Sequence, residues 1–342
     1  MPSKPRPSTE EVQDDDAQAL PMGKYFASSD KAVRDKAVDG LKQFLVARDD
    51  DLLEDKELMK LWKGLFFCFW HSDKPLVQQA LATDLAELLL KIPSAPASLH
   101  FLKGFWDMIL REWTKIDVHR IDKFYMLIRR FVNAAFRLQL RENWDDNCCE
   151  AYEYILTRPN GPLDPDDPKH ITSLAYHLAD IYLEELEKAL NASESTCSVP
   201  ILDVIQPFLV FAARTPVKAS VPRLQDTVFQ PLTSALTQVT SEEPPAKRPR
   251  LSGASSPPDL STVIARSTLD HSRYYPPKKT TATSTLDSEP SEPVEIRKAI
   301  LKAILDIGGQ SETREHNRKK LFAFWKAATA EGQTDQTEWD AS

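Results

Sequence analysis

The stretch from Leu61 to Lys91, LWKGLFFCFWHSDKPLVQQALATDLAELLLK, constrains this chain more than any other. Leu61, Trp62, Leu65, Phe66 and Phe69 recur at steps of three and four, which puts them on one helical face. A polar break, His71-Ser72-Asp73-Lys74-Pro75, follows. Pro75 suits the first turn of a new helix, and it drives Lys74 out of the helical region. Ser72 and Asp73 are placed to satisfy the free N–H groups of that helix. Leu76, Val77, Ala80, Leu81, Leu85, Leu88 and Leu89 then form a second apolar pattern. So short a connection predicts two antiparallel neighbouring helices.

The same period continues on both sides. Ser28-Ser29-Asp30 predicts a helix start, and Val33 to Leu45 an apolar stripe behind it. Further helices are expected over Leu99–Trp113 and Ile121–Ala135, with Asn143 capping the one that carries Trp144, Cys148, Tyr152 and Ile155. Arg158 to Lys169 reads as a loop with four prolines. Helical patterns resume over Ile171–Leu186, over Pro200–Leu209 with Pro207 as a kink, and over Val221–Leu236 with Pro231 as an interruption. No window reads better as a strand. The fold expected is all-α: stacked antiparallel helix pairs in an α-solenoid of the HEAT or armadillo kind. No fixed repeat period is visible, so a compact irregular helical bundle remains the rival.

The predicted organisation has five parts. Residues 1–22 are Pro-, Ser- and acid-rich and expected to be disordered, and residues 23–239 form the helical-repeat domain. Residues 240–292, rich in Ser, Thr and Pro, are expected to be a disordered linker, and 293–330 hold two short docking helices split by Gly308-Gly309. A disordered tail, 331–342, follows. Helices this short normally dock on something, so Leu321, Phe322, Phe324 and Trp325 are read as a partner-docking face.

Composition bounds the chemistry. The net charge of -8 excludes a general polyanion binder, so any nucleic-acid contact needs a local basic surface. Four cysteines fit neither a disulfide framework nor a zinc-site spacing and suggest a reducing, intracellular setting. The N-terminal residues lack a signal core, and no apolar run reaches membrane-spanning length, so a soluble protein is expected. None of HExxH, GxSxG, GxxxxGK[ST] or GxGxxG occurs, and neither an enzyme nor a cofactor is expected. His170 and His177, seven residues apart, read as a surface pair rather than metal ligands, and Cys148-Cys149 as half core and half surface.

Two readings of the aromatics compete. Burying Trp62, Phe66, Phe69, Phe105, Trp106 or Trp113 removes about 150–250 Å² from water, about 4–6 kcal/mol each. Stacking a base on an exposed ring gives about 1–3 kcal/mol. These side chains are therefore assigned to the core. Arg120, Lys123, Arg130, Arg137 and Arg141 make a second pattern, one stripe well away from the Ile121–Ile128–Ala135 stripe. It reads either as a solvated helix face or as a surface for RNA phosphates or an acidic partner. Lys247, Arg248 and Arg250, beside Pro249, read as a nuclear import signal.

WKGLFFCFWHSDKPLVQQALATDLAELL followed by FWDMILREWTKIDVHRIDKFYMLIRRF resembles the eukaryotic ribosomal RNA-processing protein 1 family. The SDKP turn and the DKFYMLIRR run carry the resemblance, and the later NRKKLFAFWK is similar to that family's later segment. His71 departs from the apolar or Met residue expected there, without functional consequence. The tail, short and less basic than in animal members, suggests a compact fungal-type member. The resemblance implies a non-catalytic nucleolar scaffold, in the nucleus, for early assembly of the large (60S) ribosomal subunit and processing of its precursor RNA. It implies other assembly factors as partners, WD40-propeller and Brix-domain proteins among them, and pre-ribosomal RNA, with no membrane. The competing class is a helical-repeat nuclear transport or chromatin adaptor.

Overall fold

The structure is a computed structural model that describes residues 23–26, 28, 30–47, 52–167, 171–240, 258–270, 272–274 and 290–337. The expected import signal (Lys247, Arg248, Arg250), residues 1–22 and His170 lie outside the described residues.

The helices are α1 (Gly23–Phe26), α2 (Lys31–Ala47), α3 (Asp55–Trp70), α4 (Pro75–Lys91), α5 (Ala95–Glu112), α6 (Ile121–Arg141), α7 (Asp146–Thr157), α8 (Thr172–Asn191) and α9 (Ile201–Arg214). They continue as α10 (Ser220–Leu224), a π segment (Gln225–Phe229), α11 (Gln230–Thr240), α12 (Ser261–Arg266), α13 (Pro293–Gly309) and α14 (Glu315–Thr337). Up to α10 they alternate between two layers. Helices α1, α3, α5, α7, α9 and α13 pack successively in one layer, and α2, α4, α6, α8 and α10 in the other. That alternation is the solenoid expected from the sequence.

Local chemistry sets the boundaries. The Asp30 carboxylate accepts the Ala32 N–H (2.8 Å) and starts α2. Pro75 opens α4, but its neighbours do not cap it as expected. The Ser72 hydroxyl is buried and donates back to the Cys68 carbonyl (3.1 Å), while the Gln78 amide donates to the carbonyls of Ser72 (2.9 Å) and Asp73 (3.1 Å). The cap of α7 is Asp145, which accepts from the N–H groups of Asn147 and Cys148. Asn143, expected there, has φ 52° in the tight turn before it. Pro231 does not break its helix. The ring removes a donor and crowds the carbonyl four residues back, and the chain answers with the π segment just upstream.

The core is aromatic where α3, α5 and α6 meet. Phe105 stacks on Phe131 at 3.9 Å between centroids, Trp62 lies edge-on to both, and the Trp62 indole donates to the Phe101 carbonyl (3.0 Å). Gly104 makes this approach possible: a Cβ there would come within 2.5 Å of the Trp62 ring. All six aromatics assigned to the core are buried. Cys148 and Cys149 are both buried, not divided between core and surface; the Cys149 thiol lies against the Trp144 carbonyl.

Two expectations change at the C-terminal end. Within the expected linker, residues 258–270 and 272–274 pack onto the solenoid: Leu260, Val263, Ile264 and Leu269 are buried, and Ser267–Thr268 (β2) pairs in parallel with Val199–Pro200 (β1). The Glu187 carboxylate of α8 accepts the N–H groups of Thr262 and Val263, and Arg273 binds Asp203 (2.7 Å) and Glu153 (2.8 Å). Helix α13 runs through Gly308-Gly309, so the break falls after them. The pair α13–α14 docks on the chain itself: the buried Asn317 amide donates to the carbonyls of Ala213 (3.1 Å) and Thr215 (2.9 Å).

Candidate interaction surface

Helix α6 carries the basic stripe, and its neighbours decide what the stripe can do. Helices α4 and α6 lie parallel and in register. At their starts, Lys123 Nζ donates to the carbonyls of Trp70 (2.7 Å) and Ser72 (2.9 Å) in the α3–α4 turn. Further along, Arg137 binds Glu87. At their ends, Arg141 donates to the carbonyls of Leu90 (3.0 Å) and Ile92 (2.9 Å) and pairs with Glu142. Arg120 pairs with Asp117 and sits 4.9 Å over the Trp70 ring. The polar heads of Lys123, Arg137 and Arg141 thus reach across the α4 seam, Lys123 buried and Arg141 still exposed, and Arg120 closes over its start. Lys123, only 6% exposed, is a correction to the stripe as an outward-facing surface. Arg130 alone of the five is exposed without a described ion-pair partner.

The opposite flank of α6 repeats the device. Arg129, outside the expected stripe, pairs with Glu184 and Glu185 of α8 (2.8 Å each), and Asn133 donates to the Glu185 carbonyl (3.2 Å). Arg223 of α10 then pairs with Asp180 of α8, and Arg158 with Asp107 in the other layer. Partners lie from 43 residues apart (Arg223–Asp180) to 56 (Arg129–Glu185). One helix pair thus reaches the next at a spacing close to one structural repeat.

The electrostatics follow from these contacts. Burial pushes the Lys123 ammonium down to about 8, with nearby Asp73 acting the other way. The hydrogen bond from Arg120 holds the Asp117 carboxyl below the usual carboxylate range. His177 Nε2 donates to the Tyr125 carbonyl (3.1 Å), packs on the Tyr125 ring, and is pushed down by burial. Among the described residues no cluster of His, Cys, Asp and Glu has metal-site geometry. A void lined by Phe136, Gln139, Trp144, Cys149, Tyr152 and Asp203 offers about 20 Å³, room for a water rather than a substrate.

The expected docking face divides. Leu321 and Phe324 of α14 are buried against the chain's own helices, and Trp325 is partly buried. Phe322 is 36% exposed and rests against Gly308. The sequence did not reveal Arg129, Glu185, Glu187 or Arg273, because each depends on a partner distant in the chain.

The chain is similar to ribosomal RNA processing protein 1 homolog B of Mus musculus, 33% identical over 235 residues, covering 68% of this chain and 32% of the relative. It is 36% identical to the human homolog A over 200 residues, covering 57% and 42%. The Dictyostelium discoideum homolog is 25% identical over 294 residues, covering 80% and 52%. The chain thus matches about a third to a half of the length of these relatives. The profile of the nucleolar protein Nop52 family matches residues 17–325, nearly the whole described solenoid with its C-terminal helix pair, and the chain belongs to that family.

Proposed function

We propose that the chain is a non-catalytic scaffold in early assembly of the large ribosomal subunit, acting in the nucleolus and needed for processing of that subunit's precursor RNA. The observation that carries this reading is the ladder of cross-repeat contacts. Arg137–Glu87, Arg129–Glu185 and Arg223–Asp180 hold successive helix pairs in one register, so residues far apart in sequence present one continuous outer surface. The printed names of the relatives supply the setting, ribosomal RNA processing. Other assembly factors, WD40-propeller and Brix-domain proteins among them, and precursor RNA are the partners proposed.

The test is sedimentation of the tagged full chain through a gradient, with hybridisation for large-subunit precursor RNA after depletion. Co-migration with precursor particles and accumulation of unprocessed RNA are expected. A chain confined to light fractions, with normal processing after depletion, sinks the reading and favours an adaptor.

A further inference from the structure

Helix α14 is the last described helix, and its local charge runs against the -8 of the chain. Lys218, in the α9–α10 turn, meets Lys320 of α14, and both lie with Arg314 around His316. Lys320 Nζ donates to the Lys218 carbonyl, Arg314 Nε to the Arg214 carbonyl, and Arg318 Nε to the Gly308 carbonyl (3.0 Å). Glu315 pairs with Arg318 (3.7 Å) and Lys319 (3.3 Å). No described carboxylate pairs with Lys218, Arg314, Lys320 or Lys326. His316 lies among these cations: burial, then Lys218, Lys320 and Arg314, push its imidazole below the usual range.

The outer face of α14 adds an aromatic. Lys319, Phe322 and Lys326 follow at steps of three and four, spanning about 10 Å along the axis. All three are exposed. A terminal repeat needs a polar outer face, and mixed charges would serve that need. An exposed ring beside the unpaired Lys326 and the Glu315-paired Lys319, with the unpaired Lys320 on the same helix, fits something more specific. Lys and Arg meet phosphates, and a ring meets the plane of an unpaired base. An acidic protein segment would use the cations but has no need of the ring.

We propose that the α9–α10 turn and the outer face of α14 bind single-stranded RNA, with Lys218, Arg314, Lys320 and Lys326 on phosphates and Phe322 stacked on a base. The proposal rests on the scaffold reading for its biological setting, a precursor RNA.

Fluorescence anisotropy of the full chain with a labelled oligouridylate, across a salt series, tests it. Lys218→Glu with Lys320→Glu should weaken binding at least tenfold. It should also flatten the salt dependence by about 1.4 in log–log slope, about 0.7 for each lost single-strand phosphate contact. Phe322→Ala should weaken binding about fivefold or more with an unchanged slope, the range of one lost stacking contact. Lys36→Glu, on α2 at the other end of the solenoid, should change nothing. Thermal melts confirm folding, and Phe322→Leu replaces the alanine variant if that one unfolds. Unchanged affinity in the charge-reversed variant, or equal loss with Lys36→Glu, overturns the proposal. A wild-type chain that sediments with precursor particles but binds no oligouridylate also overturns it, and leaves the scaffold reading standing. Loss of sedimentation in the charge-reversed variant with RNA affinity intact makes the occupant an acidic protein and likewise overturns it.

Discussion

Arg137 of α6 binds the carboxylate of Glu87 on α4, fifty residues upstream. The pair is about a third exposed on each side, so its attraction is worth no more than about 1 kcal/mol. Arg137→Glu replaces attraction with repulsion and should lower the melting temperature by a few degrees. Adding Glu87→Arg should restore most of the loss. A single reversal with an unchanged melt would mean that α4 and α6 keep their register without this ion pair.

The course of α6 shows what the sequence could and could not disclose. Its apolar stripe was legible, because Phe124, Ile128, Phe131 and Ala135 repeat at helical spacing and all enter the core. The destination of its cations was not. A helix inside a layer has neighbours on two flanks, and periodicity cannot distinguish a flank facing α4 from one facing water. The acids that receive Arg137 and Arg129 stand 50 and 56 residues away on helices whose neighbourhood only the fold creates. The described stretches 258–270 and 272–274 were missed for a related reason. Leu260, Val263 and Ile264 stand at helical spacing but over barely one turn among Ser, Thr and Pro, and the groove that receives them exists only once α8 and α9 have packed.

Trp62 and Gly104 form a lock between α3 and α5. Trp62→Ala should cost about 3–5 kcal/mol, the range for a large buried aromatic. Gly104→Ala should destabilise by about 1–3 kcal/mol, because the added methyl meets the indole and the Leu58 side chain in a packed site. Denaturant titrations of both variants check this. A Gly104→Ala protein as stable as the parent would show that the indole can slide away freely.

The buried thiols give a reading of global opening. Burial pushes Cys68 up to about 11 and Cys148 up to about 12, and it raises Cys149 further. The thiolate is the reactive form, so at pH 8 the folded protein should leave all three unmodified by iodoacetamide. Unfolding in guanidinium should expose them together. Mass spectrometry of the three peptides checks it, and rapid labelling of Cys148 in the native protein would place α7 in a locally open state.

Lys123 should leave a pH signature on stability. Its pKa falls from the ordinary 10.5 to about 8 in the folded protein, chiefly through burial. Below about pH 8 both the folded and unfolded chains hold the proton, and the group contributes no slope. Between about 8 and 10.5 the unfolded chain still binds a proton that the folded chain has released. Unfolding then takes up a proton, so stability from this group rises with pH across that window. Lys123→Met removes the titration along with the bonds to the Trp70 and Ser72 carbonyls, so the variant should be less stable throughout. Its deficit should widen as pH climbs from 8 to 10. Urea midpoints of both proteins at pH 7, 8, 9 and 10 measure that difference directly. A deficit constant with pH would mean that the two carbonyls, with the Phe69 ring 5.5 Å away, keep the ammonium charged in the folded state.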